Sequence, residues 1–417
     1  MSVEFAKGTR NISPEEGLIR EEVVTTIKEF FRRYGFKPLE TPILQRYEEL
    51  TAKYAGGAEI MKEIFQLQDQ GKRNLALRYD LTVPLALYMT ENPTVKLPFK
   101  RYEIGKVFRD GPIKKGRTRE FWQCDADMIG SSSLIADAEC INLMQDVFDA
   151  LQVKVKIKVN NIKILHAMMR AAGATDTNSA ILTIDKLDKV GKESVVKELL
   201  AKGCSEETIT KIFEYIAITD LAKLGKVLDN EPGIVELTDV LKNTKAVFDP
   251  TLARGLAYYT GTILEVYAEK SAITSSLGSG GRYDKMIGDY LQSKQAYPAV
   301  GISFGLEPIT EVLKEQRKEA KKTATEVFVI PIQTPQESLR ITQELRAQGV
   351  NAEIDVMNRN VGKNIEYANT MGIPFVLFVG SDEIKRKKFK LRDMNTGKEE
   401  LYIMKECVER VTNARKV

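Results

Sequence analysis

The chain reads as an α+β protein, and three observations predict that class. Runs of apolar/polar alternation such as "VKVKIKV" (153–159) mark strands. A Lys/Glu-rich stretch with helical spacing, 161–245, interrupts those strands. Beyond residue 326 the elements follow in β-α-β-α-β order.

The first helix is announced by Ser13 as N-cap, Pro14 at the first helical position and Glu16 closing a capping box. Val23, Ile27, Phe30, Phe31 and Tyr34 recur at helical spacing until Gly35 ends the run. "FKPLETPILQ" follows as an extended segment that Pro38 and Pro42 keep near an edge or interface. In 153–159, Val153, Val155, Ile157 and Val159 share one face of a strand. Lys154, Lys156 and Lys158 share the other, where a solvated face and an RNA contact both account for the charge. Residues 161–245, with Phe213 and Tyr215 as their only aromatics, read as a small helical insertion. Strands resume with "TGTILEVYAE" and "AVGISFG", and "EQRKEAKKTATE" (315–326) reads as a helix end running into a linker.

The closing unit starts with strand "VFVIPI". Thr334-Pro335-Gln336-Glu337 forms a second capping box, opening a helix that stops at Gly349. Strand "AEIDV", a helix through "NIEYANTMG" and strand "PFVLFVG" follow, implying parallel neighbours with right-handed crossovers. A hairpin turns around Asn395-Thr396-Gly397.

At 417 residues the chain has room for two or three domains, each with its own core. A net charge of +4 means that a polyanionic partner must be met by local patches rather than by a global field. No apolar run of about 18 residues occurs, and "MSVEFAKGTR" lacks an apolar signal core, so a cytoplasmic protein with no membrane segment is expected. Cys124, Cys140, Cys204 and Cys407 show no C-x-x-C spacing, which argues against a zinc ribbon or disulfide framework. His166 is the only histidine, so a Ser-His-Asp triad or a His-rich zinc site elsewhere is excluded. His166 lies in "KILHAMMRAAG", where helical spacing assigns it a structural or surface role. Chemistry must run on Arg, Lys, carboxylates, Tyr, backbone amides or a bound metal.

No G-x-x-x-x-G-K-[ST] is present, and in "GSGGRYD" (278–284) Tyr283 stands where a dinucleotide fingerprint needs glycine. What remains is a cluster of cations in "RDGPIKKGRTREF" (109–121). A strand–loop–strand hairpin with Pro112 and Gly116 at its tip would bring Arg109 and Arg119 together, near Arg117. Paired guanidiniums suit a polyphosphate, which they grip in bidentate fashion. On charge alone a solvated basic loop explains the cluster equally well.

"FKRYEIGKVFRDGPIKKGRTREFWQCDADMIG" resembles motif 2 of the class II aminoacyl-tRNA synthetases, and more narrowly the histidyl-tRNA synthetases in the form typical of archaea. "KGTRNISPEE", "LRYDLTVPLA" (77–86), "RGLAYYTG" (254–261) and "GSGGRYD" are similar to further signatures of that family, in the same order. The resemblance covers nearly the whole chain.

It implies an antiparallel catalytic sheet with helices, a helical insertion and a C-terminal α/β anticodon-binding domain. The catalytic domain would span 1–160 and 246–322, the insertion 161–245 and the anticodon-binding domain 323–417. The implied reaction joins histidine to its tRNA through histidyl-adenylate, using ATP with Mg2+ and no metal site assigned to protein residues. By resemblance Arg109 and Arg254 hold the α-phosphate, and Arg117 and Arg119 attend the ATP phosphates and the tRNA end. Asp80, Thr82 and Gln123 match contacts to the substrate amino group, and Asp127, Tyr258, Tyr259 and Tyr283 match the imidazole pocket. Lys114 and Lys115, at the loop tip, would meet the tRNA acceptor end.

The helix ending at Gly35 and the segment after it match motif 1, implying a homodimer. The family pattern is broken twice: Gly111 stands where a Glu is usual, and Pro308 where motif 3 ends in Arg. Six cations in "KRKKFKLR" (385–392) offer either an RNA contact or a solvated strand end. The competing reading is a synthetase-like regulatory subunit, such as that of ATP phosphoribosyltransferase. Such relatives typically lose the catalytic arginines and the anticodon domain, both of which this chain keeps.

Overall fold

The computed structural model describes residues 4–51, 61–113, 116–254, 258–290, 296–317 and 321–415. They divide into two compact units, one of Met1–Asn11 with Arg20–Gln316, the other of Ile12–Ile19 with Arg317–Val417.

The first unit is built on a sheet with eight described strands. These are β1 (Lys37–Pro38), β5 (Phe99–Phe108), β6 (Glu120–Ile129), β7 (Val155–Asn161), β8 (Val247–Phe248), β9 (Thr262–Ala268), β10 (Gly278–Arg282) and β11 (Ala299–Gly305). They run across the sheet in the order β1-β5-β6-β11-β10-β9-β7-β8. Every neighbouring pair is antiparallel except β1 with β5 and β7 with β8, at the two edges. A separate antiparallel ribbon, β2 (Leu44–Arg46), β3 (Gln66–Gln68) and β4 (Asn74–Leu77), has the order β2-β4-β3.

Alternation along each strand sorts the sheet into two faces. On one face Phe304 meets Phe31 from the first helix and Phe148 from the helix Leu134–Ala150, at ring distances of 5.9 and 5.6 Å. All three rings are fully buried, and burying each contributes about 1.5–3 kcal/mol. The other face carries glycines and polar side chains. The helix Pro14–Arg33 starts as its sequence predicts, the Glu16 amide donating to Ser13 Oγ at 3.3 Å.

One local expectation is corrected here. β7 begins at Val155, not at Val153, although Val153 is buried. Between Ile162 and Lys242 the elements are helices alone, as expected, and the last, Pro232–Lys242, packs on both β7 and Leu134–Ala150.

In the second unit β12 (Val327–Pro331), β13 (Ala352–Ile354), β14 (Phe375–Val379), β15 (Phe389–Asp393) and β16 (Glu399–Tyr402) form a sheet of order β13-β12-β14-β15-β16. Its first three strands are parallel and its last two form an antiparallel hairpin. Val327, Val329, Leu377 and Val379 enter one core, and Phe328, Ile330, Val376 and Phe378 the other, so both faces are buried. The capping box expected at Thr334 does not form. Its hydroxyl donates to the Val379 carbonyl at 2.6 Å, which ties the helix start to β14 instead. No described helix is long and apolar enough to cross a membrane.

Candidate active site

Strand register assembles the site. On the open face of the large sheet Glu103, Asp125, Ser303, Ser279, Glu265 and Lys158 lie in one row across β5, β6, β11, β10, β9 and β7. The next row is Arg101, Asp127, Gly301, Gly281, Ile263 and Asn160. Over these rows opens a cleft of about 1120 Å³. That exceeds the usual few hundred to 1,000 Å³ of a single small-ligand pocket, so two substrates can share it.

Of the residues singled out from the sequence, Asp80, Thr82, Arg109, Arg117, Gln123, Asp127, Arg254, Tyr258, Tyr259 and Tyr283 all line this cleft. Arg119 does not: its guanidinium turns to Asp110 at 2.7 Å and to the Gly111 carbonyl at 3.4 Å. The Arg109 amide does donate to the Arg119 carbonyl at 2.8 Å, as the hairpin requires, but the ladder ends at Phe108–Glu120 and the two side chains part there. Lys114 and Lys115 lie outside the described residues.

The cationic end is held by two arginines. Arg254 pairs with Glu265 and donates from Nη2 to Ser279 Oγ at 3.1 Å, while Tyr267 donates its hydroxyl to Glu265. Burial opposes its charge, but Tyr259, Glu265 and Tyr258 outweigh burial and hold the guanidinium protonated. Its buried Nε–H has no hydrogen-bond partner. Arg109 donates from Nε to the Tyr79 carbonyl at 3.1 Å and stacks 4.2 Å over the Tyr79 ring, with Phe121 at 5.1 Å. Those contacts aim its terminal nitrogens into the cleft. Arg117 sits 3.8 Å from Glu63.

The acidic end lies on β6. Asp127 receives the Tyr283 hydroxyl at Oδ1, and its Oδ2 faces Arg101, a fully buried guanidinium, at 2.9 Å. Burial pushes the Asp127 carboxyl up, and Arg101 and the Tyr283 hydrogen bond oppose that rise. The angle to Arg101 leaves Oδ2 without a hydrogen bond, and Gln123 Oε1 is likewise buried and unpaired. Gln123 Nε2 donates to Ser303 Oγ at 2.9 Å. Asp80 caps the helix Thr82–Glu91, accepting from the Thr82 and Val83 amides at 3.1 and 3.0 Å. Tyr258 packs between Tyr259 and Tyr283 at 4.7 and 5.9 Å.

Glycines make room for these groups. A Cβ on Gly301 would lie 2.0 Å from Asp127 Oδ1, and one on Gly281 would lie 2.8 Å from the Tyr259 ring. At Gly111 a Cβ would stand 2.7 Å from Glu63 Oε1, so a side chain there would collide with that carboxylate. Pro308 lines the cleft beside Glu307, which pairs with Arg20 at 3.0 Å.

Sequence reasoning missed Glu63, Asp125, Glu265, Ser279 and Ser303. Asp125 had a signal: in "WQCDAD" Gln123, Asp125 and Asp127 alternate and must share a face. Glu265, Ser279 and Ser303 are brought in by strand order, and Glu63 by the turn that precedes β3. Lys158, read as part of a lysine face, bridges Asp249 at 2.7 Å beside the cleft. His166 Nδ1 lies 2.9 Å from Thr177 Oγ1, among the helices.

The cleft thus offers an unpaired donor at one end and, at the other, an unpaired acceptor on Gln123 beside Asp125 and Asp127. Comparison with known proteins agrees on what such a chain is like. A family profile described as histidyl-tRNA synthetase matches residues 8–309, and one described as an anticodon binding domain matches residues 326–414. A histidine–tRNA ligase of Bacillus cereus is 43% identical over 415 residues, spanning 96% of this chain and 95% of its own. One from Clostridium tetani is 35% identical over 432 residues, covering 98% and 97%. The crystal structure of histidyl-tRNA synthetase from Nostoc superposes with a TM-score of 0.87 at 29% identity, covering 99% of this chain and 100% of that one.

Proposed function

The chain belongs to the histidyl-tRNA synthetase family, and from that premise we propose that it activates histidine with ATP and transfers the histidyl group to tRNA. One observation carries the reading. Buried Arg254 Nε–H stands unpaired at one end of a single cleft, and Gln123 Oε1 stands unpaired at the other, beside Asp127, whose Oδ2 has only its ion pair with Arg101. A ligand that fits has an anionic end for the arginines and N–H donors for the acceptors, as histidine and the ATP phosphates together provide.

In the first step a carboxylate oxygen of histidine attacks the α-phosphorus of ATP, and the bond to pyrophosphate breaks. The nucleophile is already ionised, so no protein base is needed; alignment and charge stabilisation carry the rate. Arg109 and Arg254 meet the growing negative charge on the α-phosphate oxygens, and Glu265 and Ser279 hold Arg254 in place. Bound together with ATP, Mg2+ would neutralise part of the charge on its phosphates. In the second step a ribose hydroxyl of the tRNA end takes the histidyl group and AMP leaves.

At the substrate end Asp80, Thr82 and Gln123 serve the amino group, and Asp127, Tyr258, Tyr259 and Tyr283 the imidazole. Such a pocket rejects amino acids without matching N–H groups, because its buried acceptors would then stay unpaired. Arg117, Lys114 and Lys115 attend the triphosphate and the tRNA end, while Arg119 is committed to Asp110. The proposed division is a catalytic domain at 1–160 and 246–322, an insertion at 161–245 and an anticodon-binding domain at 323–417, working as a cytoplasmic homodimer. Both arginines lining the same cleft favours catalysis over a regulatory role.

Exchange of labelled pyrophosphate into ATP, run with each of the twenty amino acids, tests the reading. Exchange with histidine alone, followed by charging of tRNA, supports it. Exchange with another amino acid, or with none, overturns it.

A further inference from the structure

We propose that Asp125 is a further substrate-binding residue whose carboxylate, beside Gln123, takes the α-ammonium group of histidine. The inference rests on the histidine-activating reading and adds a contact that reading does not contain.

The other carboxylates at this end are already engaged. Glu103 pairs with Arg78 at 2.7 Å and receives the Thr41 hydroxyl at 2.9 Å. Asp127 faces Arg101 and receives the Tyr283 hydroxyl. Asp80 uses Oδ1 as a helix cap. Asp125 is only 3% exposed and lines the cleft, yet among the described residues it forms no ion pair. Its polar neighbours are Gln123 Nε2 at 3.5 Å and the Ser303 hydroxyl. Among the described residues three buried carboxylates, Glu103, Asp125 and Asp127, thus share this end with two guanidiniums, Arg78 paired to Glu103 and Arg101 paired to Asp127. A buried surplus of negative charge calls for a cation, and a cleft-facing group can receive one from a ligand.

Position selects which cation. Asp125 and Ser279 belong to one row, two strands apart, roughly 10 Å. Ser279 is a partner of Arg254, which faces the phosphate under attack. The α-ammonium and the attacking carboxylate share one carbon, so the ammonium must sit near that row. Asp127, one pleat away with the tyrosines, is placed for the imidazole.

The electrostatics agree. Burial, then Asp127, push the Asp125 carboxyl up to about 8, with Asp80 adding to the rise and Arg101 and Ser303 opposing it. Opposite it on β5 stands Glu103, paired with Arg78. The empty site therefore holds Asp125 largely protonated near neutral pH, and an arriving ammonium displaces that proton to solvent.

The test is Asp125→Asn, a near-isostere. Its histidine Kd should rise roughly ten- to hundredfold, the worth of a charged hydrogen bond, with the KM for ATP unchanged. Histamine, which keeps the amine, should lose the same factor as an inhibitor. 3-(Imidazol-4-yl)propanoate, which lacks it, should lose little. Equal losses for both would make Asp125 a shaping residue and overturn the assignment, as would unchanged histidine affinity. Should the variant not fold, wild-type calorimetry in two buffers of different ionisation enthalpy still decides. Histidine must release more protons near pH 7 than the propanoate does, and equal release refutes the proposal. A wild type without histidine-dependent exchange would instead sink the functional reading itself.

Discussion

Replacing Gly301 by Ala asks whether the sheet holds Asp127 in place. The new Cβ would lie 2.0 Å from Asp127 Oδ1 and 3.2 Å from the Tyr283 ring, whereas carbon contacts settle at about 3.5–4.0 Å. Something must move by more than an ångström. A free carboxylate would rotate away at little cost, but this one receives the Tyr283 hydroxyl and faces a fully buried Arg101. Moving it strands that guanidinium, and breaking a buried pair costs about 3–5 kcal/mol. The alternative, parting β11 from β6, gives up ladder hydrogen bonds along seven paired positions. Either route distorts the acidic end of the cleft and leaves Arg109 and Arg254 where they are. With a loss of about 3 kcal/mol, the KM for histidine in pyrophosphate exchange should rise about a hundredfold, the KM for ATP should stay within a few-fold, and the melting temperature should fall. Wild-type histidine KM and melting temperature together would refute the reasoning, because Asp127 would then have room that the structure denies it.

Arg254→Ala should remove a fixed cation from the phosphate under attack, slowing exchange by about a hundredfold or more, near 3 kcal/mol, while histidine still binds in calorimetry. Wild-type-like exchange would end its assigned role. Asp125→Asn should also change apo stability with pH. The carboxyl titrates at 3.8 as a free side chain and at about 8 in the fold. The native state therefore holds a proton that the unfolded chain has lost, and native stability declines as pH rises from about 4 to about 8. The Asn variant escapes that decline, so its advantage in melting temperature should be absent near pH 4 and largest near pH 8. An advantage that does not grow with pH would contradict this. Changing Lys114 and Lys115 together to Ala should leave exchange nearly intact but weaken tRNA charging, with a salt dependence shallower by roughly one log unit for each phosphate no longer neutralised. Equal losses in both assays would assign the loop tip to ATP instead.

Much of the molecule was legible in one dimension. Ser13 with Glu16, the alternation in "VKVKIKV" and the turn at Asn395-Thr396-Gly397 are local signals, and each appears in the fold near its expected place. Arg109, Arg254, Asp127 and the three tyrosines stand in quoted motifs, so they could be named before any contact was seen. Period-two spacing also reveals which residues of a strand share a face, and in "WQCDAD" it pointed to Asp125 as clearly as to Asp127. What alternation cannot reveal is the neighbour across the ladder. β6 lies between β5, its hairpin partner, and β11, some 170 residues later in the chain, and only that pairing sets Ser303 beside Asp125 and Gly301 under Asp127. The same holds for Glu265 and Ser279 around Arg254, for Glu63 over Gly111, and for the choice of Asp110 over the cleft by Arg119. Thr334 makes the point for local signals too, since its side chain had a good cap within reach and gave its hydrogen bond to a strand instead. Residue order alone set the elements, the face of each residue and the chemical types available. Which charges neutralise one another, and which stay unpaired toward the cleft, was settled only when the sheet closed, because pair energies depend on distances and burial that the linear chain does not have.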